Sequence, residues 1–198
     1  MMRQWRKAVT ALVLTALPVQ SLACACCSDP GQRFSGMMPM EDYERAIFEA
    51  VVFDGTAHLY STACGYECVR GIAEPEDVYR VNVTRDDWRW NLDLTGEESG
   101  AEGRLSFTLP DELFSFTVDP SPDADHHTPV LYKERRITVA LSTSGAFAPA
   151  MAEGAPTAVF ILHGQGNACP SDADYTNWTL QVSGPGADFT LFGKLNSE

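Results

Sequence analysis

YRVNVTRDDWRWNLDL, residues 79–94, alternates apolar and polar side chains twice over. Tyr79, Val81 and Val83 alternate with polar residues, and Trp88, Trp90, Leu92 and Leu94 do the same. A period of two belongs to a strand with one buried face, because the pleat sends successive side chains to opposite sides. Arg85-Asp86-Asp87 between the two runs is a gap of hairpin length.

The same period recurs outward along the chain. It appears at Leu105, Phe107 and Leu109; at Phe114, Phe116 and Val118; at Ile137, Val139 and Leu141; and at Val159 and Ile161. Trp178, Leu180 and Val182, then Phe189 and Leu191, complete it. With a strand ending near Tyr60 there are nine candidates. Their connections carry turn chemistry, as in the acidic loop Thr95–Gly103 and in Gly184-Pro185-Gly186. No helices separate these strands, so the expected fold is mostly β: a single antiparallel β-sandwich or barrel of about nine strands. Glu41–Phe53 (EDYERAIFEAVVF) places Tyr43, Ala46, Ile47 and Ala50 on one helical face before Val51-Val52-Phe53. It reads as a short N-terminal helix running into the first strand. Trp88, Trp90 and Trp178 read as core rather than as a ligand platform.

Residues 1–23 read as a signal peptide. Arg3, Arg6 and Lys7 precede the apolar stretch Ala8–Leu17, and Ser21-Leu22-Ala23 has the small-x-small form of a cleavage site. The apolar stretch is too short to span a bilayer, which takes ~20 residues, and no later segment is long or apolar enough. The expected location is therefore periplasmic or extracellular. The remaining segments are a Cys- and Met-rich stretch at 24–40 and a β-domain at 41–198. Cys24 as a new N-terminus raises a lipid anchor as an alternative, although a lipobox places Leu three residues upstream, where this chain has Ser21. The chain of 198 residues carries a net charge of −13, and cleavage after Ala23 makes it −16. Such a balance argues against nucleic acid, which needs a basic face, and against anionic lipid surfaces.

All six cysteines follow the leader: Cys24, Cys26, Cys27, Cys64, Cys68 and Cys169. In an oxidising compartment disulfides are the default. Three sulfurs lie in the tail and three in the body, so complete pairing needs one or three bonds between them. Cys64, Cys68 and Cys169 are the body's disulfide candidates. The alternative is a soft-metal site. Cys24, Cys26 and Cys27 place three thiols within four residues, Met37 and Met38 add thioethers, and His58 is a further candidate. Soft ligands of this kind select copper or zinc.

Asp119–Pro129, with His126 and His127, and the pair Asp172 and Asp174 read as solvated polar loops without EF-hand spacing. No nucleophile elbow, HExxH, phosphate loop or dinucleotide fingerprint is present. His163-Gly164-Gln165-Gly166 reads as a turn after a strand. Cys24-Ala25-Cys26-Cys27, Leu131-Tyr132-Lys133-Glu134 and Asn177–Pro185 (NWTLQVSGP) together resemble a group of small exported bacterial proteins with a Cys-Ala-Cys-Cys mature N-terminus. That resemblance implies export and one domain, and brings no activity, ligand or catalytic residue. The leading expectation is an exported, non-enzymatic binding protein with the N-terminal cysteines as a copper or zinc site. A disulfide-stapled structural or protein-interaction module and a hydrolase are the alternatives.

Overall fold

The hairpin at Arg85-Asp86-Asp87 forms. In a computed structural model, which describes residues 33–61, 65–118, 130–166 and 171–196, strands β4 (Val78–Asp86) and β5 (Arg89–Gly96) pair antiparallel from Tyr79↔Gly96 to Asp86↔Arg89. Asp87 in the two-residue turn has φ 53°, a left-handed conformation that Asp tolerates better than most residues. Trp88 occupies the turn rather than the strand. The guanidinium of Arg45 sits 3.2 Å from its ring centroid, so this indole is held by a cation–π contact at the rim. Trp90, Leu92 and Leu94 point inward and are fully buried.

The other described elements are β1 (Arg33–Pro39), α1 (Asp42–Ala50), β2 (Val52–Phe53), β3 (Thr56–Tyr60), β6 (Glu102–Thr108), β7 (Glu112–Val118), β8 (Val130–Ala140), β9 (Ser142–Gly145), β10 (Thr157–Gly166), β11 (Tyr175–Gly184) and β12 (Ala187–Asn196). The twelve described strands form one antiparallel sheet in the order β1-β7-β8-β10-β11-β12-β3-β4-β5-β6-β9, with β2 beside β12. The sheet is open, not a closed barrel, and its two halves fold over each other like a sandwich. Trp90 of β5 meets Phe160 of β10 at 5.5 Å between ring centroids, and Phe107 of β6 meets the same ring at 5.7 Å.

Twelve strands replace the nine expected, for three local reasons. Asp54-Gly55 divides the expected first strand into β2 and β3. Gly55 has φ 90° there, and Thr56 donates its backbone N–H to Asp54 Oδ1 at 2.9 Å. β9 is the polar edge STSG, paired with β6 and without an apolar face of its own. β1, RFSGMMP, lies in the Cys- and Met-rich stretch 24–40, ahead of the expected β-domain. It pairs with β7 from Arg33↔Val118 to Pro39↔Glu112. The sheet thus begins before residue 41, and backbone pairing rather than a buried face defines this exposed edge.

Helix α1 carries no glycine or proline, and Asp42 and Glu44 lie in its first turn, where carboxylates favour the helix dipole. Its buried residues are Glu44, Ile47 and Phe48, whereas Tyr43 is exposed. The buried stripe is therefore rotated from the expected face. Phe48 sets it by inserting between Trp90 (6.3 Å) and Phe160 (6.4 Å). Phe53 of β2 adds contacts to Trp178 and Phe160. β7 also differs from expectation: Leu113 is its fully buried residue, while Phe114 and Phe116 are half-buried.

Glu44 enters the interior because a cation awaits it. On β8 the residues Lys133, Arg135, Ile137 and Val139 are all buried. Arg135 donates from Nε and Nη2 to the two oxygens of Glu44 at 2.9 and 3.2 Å, and from Nη1 to Ser115 Oγ at 2.6 Å. Lys133 Nζ donates to Asp174 Oδ2 at 2.7 Å. Asp174 is thus not a solvated loop residue. It belongs to a short 3-10 turn, Asp172–Asp174, capped by Ser171. Gly164 and Gly166 of β10 leave space for it, since a Cβ at either would overlap Asp174. His163-Gly164-Gln165-Gly166 is accordingly the end of a strand rather than a turn. Replacing Arg135 with Met strands the Glu44 carboxylate in the interior. Urea unfolding should show a loss of about 3–5 kcal/mol, largely recovered when Glu44→Leu is added; a loss below ~1 kcal/mol for the single variant would contradict the pairing.

Candidate functional site

Because side chains alternate across the sheet, the residues that flank core positions share the outer face. Register aligns them: His58↔Phe192 joins β3 to β12, Thr179↔Phe192 joins β11, Ile161↔Thr179 joins β10, and Ile161↔Arg136 joins β8. Phe114↔Arg136 and Met37↔Phe114 carry the row on to β7 and β1. Two clefts lie along this row. The one at β3–β12–β11 encloses about 530 Å³ and includes His58, Tyr60, Asp77, His163, Asn177 and Thr179 around Phe192. The other, about 480 Å³, lies among Met37, Phe114, Arg136, Thr138 and Val159.

Phe192 is the aromatic centre of the first cleft, with 39% of its surface exposed. Its ring lies 5.3 Å from the His58 ring and 5.4 Å from Tyr60, the latter edge-on. Behind it Trp178 and Gly193 pair in register. Gly193 is required there: a Cβ would collide with the Thr56 carbonyl and come 2.7 Å from Trp178 Nε1. The cleft therefore rests on the aromatic core through a backbone contact that admits no side chain.

His163 forms the far wall. Burial holds its pKa below the usual 6.5, and the nearby Glu134 carboxylate opposes that shift. Its Nε2 lies 3.4 Å from Thr179 Oγ1. Both oxygens of Glu134 are engaged elsewhere, Oε1 by the Tyr132 hydroxyl and Oε2 by Arg136. His163 thus offers the cleft a neutral imidazole near pH 7.

At the other end Asp77 belongs also to an adjoining cleft with Tyr66, Pro75, Glu76, Glu97 and Glu98. Tyr66 donates its hydroxyl to the Pro75 carbonyl. Its phenol is raised above its ordinary value, by burial and then by Asp77, Glu76 and Glu98. Glu76 is committed to the loop: it accepts from the backbone N–H of Glu98 at 2.8 Å, from that of Ser99 at 3.1 Å, and from the Ser99 hydroxyl. Asp77, Glu97 and Glu98 are exposed at the rim.

Of the residues expected to bind a soft metal, the three that are described, Met37, Met38 and His58, stand apart. Met37 is exposed on the outer face, whereas Met38 packs against the core. His58 lies six strand spacings from β1 in the sheet order, each of ~4.8 Å along the sheet. Cys24, Cys26, Cys27, Cys64 and Cys169 lie outside the described residues, as do His126, His127 and the loop 119–129. Cys68 closes a 3-10 turn, Gly65–Cys68, and is disulfide-bonded. Among the described residues, no three His, Cys, Asp or Glu side chains are placed to hold a metal ion.

Of the cleft residues, sequence reading singled out only His58 for binding. The missed signal was a phase error. Phe189 and Leu191 are inward, so Phe192 puts a large apolar ring on the polar phase of its strand. The buried ion pairs had a signal too, since Lys133-Glu134-Arg135-Arg136 is a charge run inside an alternating strand.

No family model, curated protein or solved structure matches the chain.

The depressed pKa of His163 makes a signed prediction. Below pH 6.5 the unfolded imidazole takes up a proton that the folded one resists, so stability is complete above that pH and falls on acidification through it. Thermal melts between pH 7.5 and 5 should show a smaller acid-side loss for His163→Gln than for the parent chain. Equal losses would remove His163 as the cause.

Proposed function

We propose that the mature chain works outside the cytoplasm as a non-enzymatic binding protein whose ligand occupies the β3–β12–β11 cleft. The carrying observation is the exposure of Phe192 between His58 and Tyr60, in a mainly apolar cleft. An aromatic surface with hydrogen-bonding groups at its margins is the usual chemistry of a binding pocket. Asn177, Thr179 and His163 supply those groups without a charged residue among them.

Disulfide stapling belongs to the same reading. The bonded state of Cys68 supports it, and its partner sulfur lies outside the described residues. Export through the leader at 1–23 supplies the oxidising compartment that such bonds require. A copper or zinc site at Cys24, Cys26 and Cys27 is the competing use of the same sulfurs. It receives no support from Met37, Met38 and His58, which stand apart.

Saturation-transfer NMR with cellohexaose, phosphocholine and a Lys-Phe-Lys tripeptide, on the parent chain and on Phe192→Ser, tests the cleft. At least one probe should bind the parent and lose its signal in the variant, whose loss of stability should stay within about 1–2 kcal/mol, the scale of two cross-strand aromatic contacts. No binding, or binding indifferent to Phe192, would overturn this placement. In the same preparation, thiol titration in denaturant without reductant should find no free thiol; free thiols would favour the metal reading.

A further inference from the structure

Resting on that reading of the cleft, we propose that its ligand is a basic peptide segment of a protein partner, with an apolar side chain on Phe192 and a Lys or Arg at the rim formed by Asp77, Glu97 and Glu98. Charge complementarity chooses this occupant. Asp77 is common to the aromatic cleft and to the acidic one beside it, so the two are adjacent recesses on one surface. Neither includes a lysine or arginine among its walls. The chain as a whole carries a net charge of −13, which repels anionic ligands and steers cations.

The rim itself is made for a charge carried on a side chain rather than for a bare ion. Three liganding groups do not converge anywhere in the described residues. Glu76 is already bound by Glu98 and Ser99 and fixes the loop from which Glu97 and Glu98 project. The ring of Tyr66, 41% exposed, lies beside these carboxylates and offers a π face to an ammonium or guanidinium. Lys194, exposed and paired with Asn177 on the opposite margin, sets the direction. It repels a second cation there, so the basic side chain is placed at the Asp77 end.

Fluorescence anisotropy with a labelled Lys-Leu-Lys-Phe-Lys-Leu-Lys peptide tests the proposal, with a Glu-for-Lys counterpart and cellohexaose as competitor. Glu97→Gln/Glu98→Gln should weaken binding about 5-fold or more, and Phe192→Ser about 10-fold, the scale of lost charge pairs and one aromatic anchor. Raising salt from about 50 to 500 mM should weaken the parent complex and affect the doubly neutralised variant less. Equal binding of the Glu peptide, or indifference to the rim variant, overturns the basic-peptide assignment. If cellohexaose binds and depends on Phe192 while the Lys peptide does not bind, the cleft stands and its occupant is a neutral glycan. If neither binds, both readings fall. Cooperative melts well above the assay temperature in all variants exclude misfolding as the cause.

Discussion

The contact between Trp90 and Phe160 is the constraint on which the rest of the molecule depends. The two residues belong to strands from opposite parts of the sheet order, and their rings meet at 5.5 Å. An open sheet of this size cannot bury an apolar face by pairing alone; it must fold over itself. The aromatic rings provide the inner surface for that fold-over. Phe48 and Phe53 then bring α1 and β2 against the same cluster. Trp178, fully buried, extends it beneath β11 and β12.

The consequence for function is geometric. Once Trp178 and its register partner Gly193 face the core, the residues beside them must face out. Asn177, Thr179 and Phe192 therefore line the outer cleft because their neighbours are committed to the interior. The ion pairs under β8 act at a different level. Replacing both charges of a buried pair with apolar groups is often neutral or stabilising, so their significance lies in placement. Arg135 holds, through Glu44, the rotation of α1 that Phe48 sets, and Lys133 holds the turn before β11 through Asp174. That turn leads directly into the strand carrying Asn177 and Thr179.

Much of this architecture was legible in the sequence. Alternation identified the strands around Trp90, Leu105, Ile137, Trp178 and Phe189, because each has one strongly apolar face. It failed where stabilisation comes from a neighbour. β1 and β9 have few buried side chains and are defined by pairing with β7 and β6. The division of β2 from β3 depended on Asp54-Gly55, a turn signal inside an otherwise continuous strand pattern. The cleft was less legible still. His58 stands out in the sequence for its chemistry, but Phe192 and His163 reach it from strands far away in sequence. Only the register brings them together.

Backbone amide chemical-shift mapping of the isotopically labelled protein, titrated with the Lys-Leu-Lys-Phe-Lys-Leu-Lys peptide, tests the central claim most directly. The account predicts shifts concentrated at Val78, His58, Tyr60, Thr179 and Phe192, with the second outer cleft around Phe114 unmoved. Shifts centred on β1 or on the 480 Å³ cleft beside Met37, with the Phe192 region silent, would contradict it.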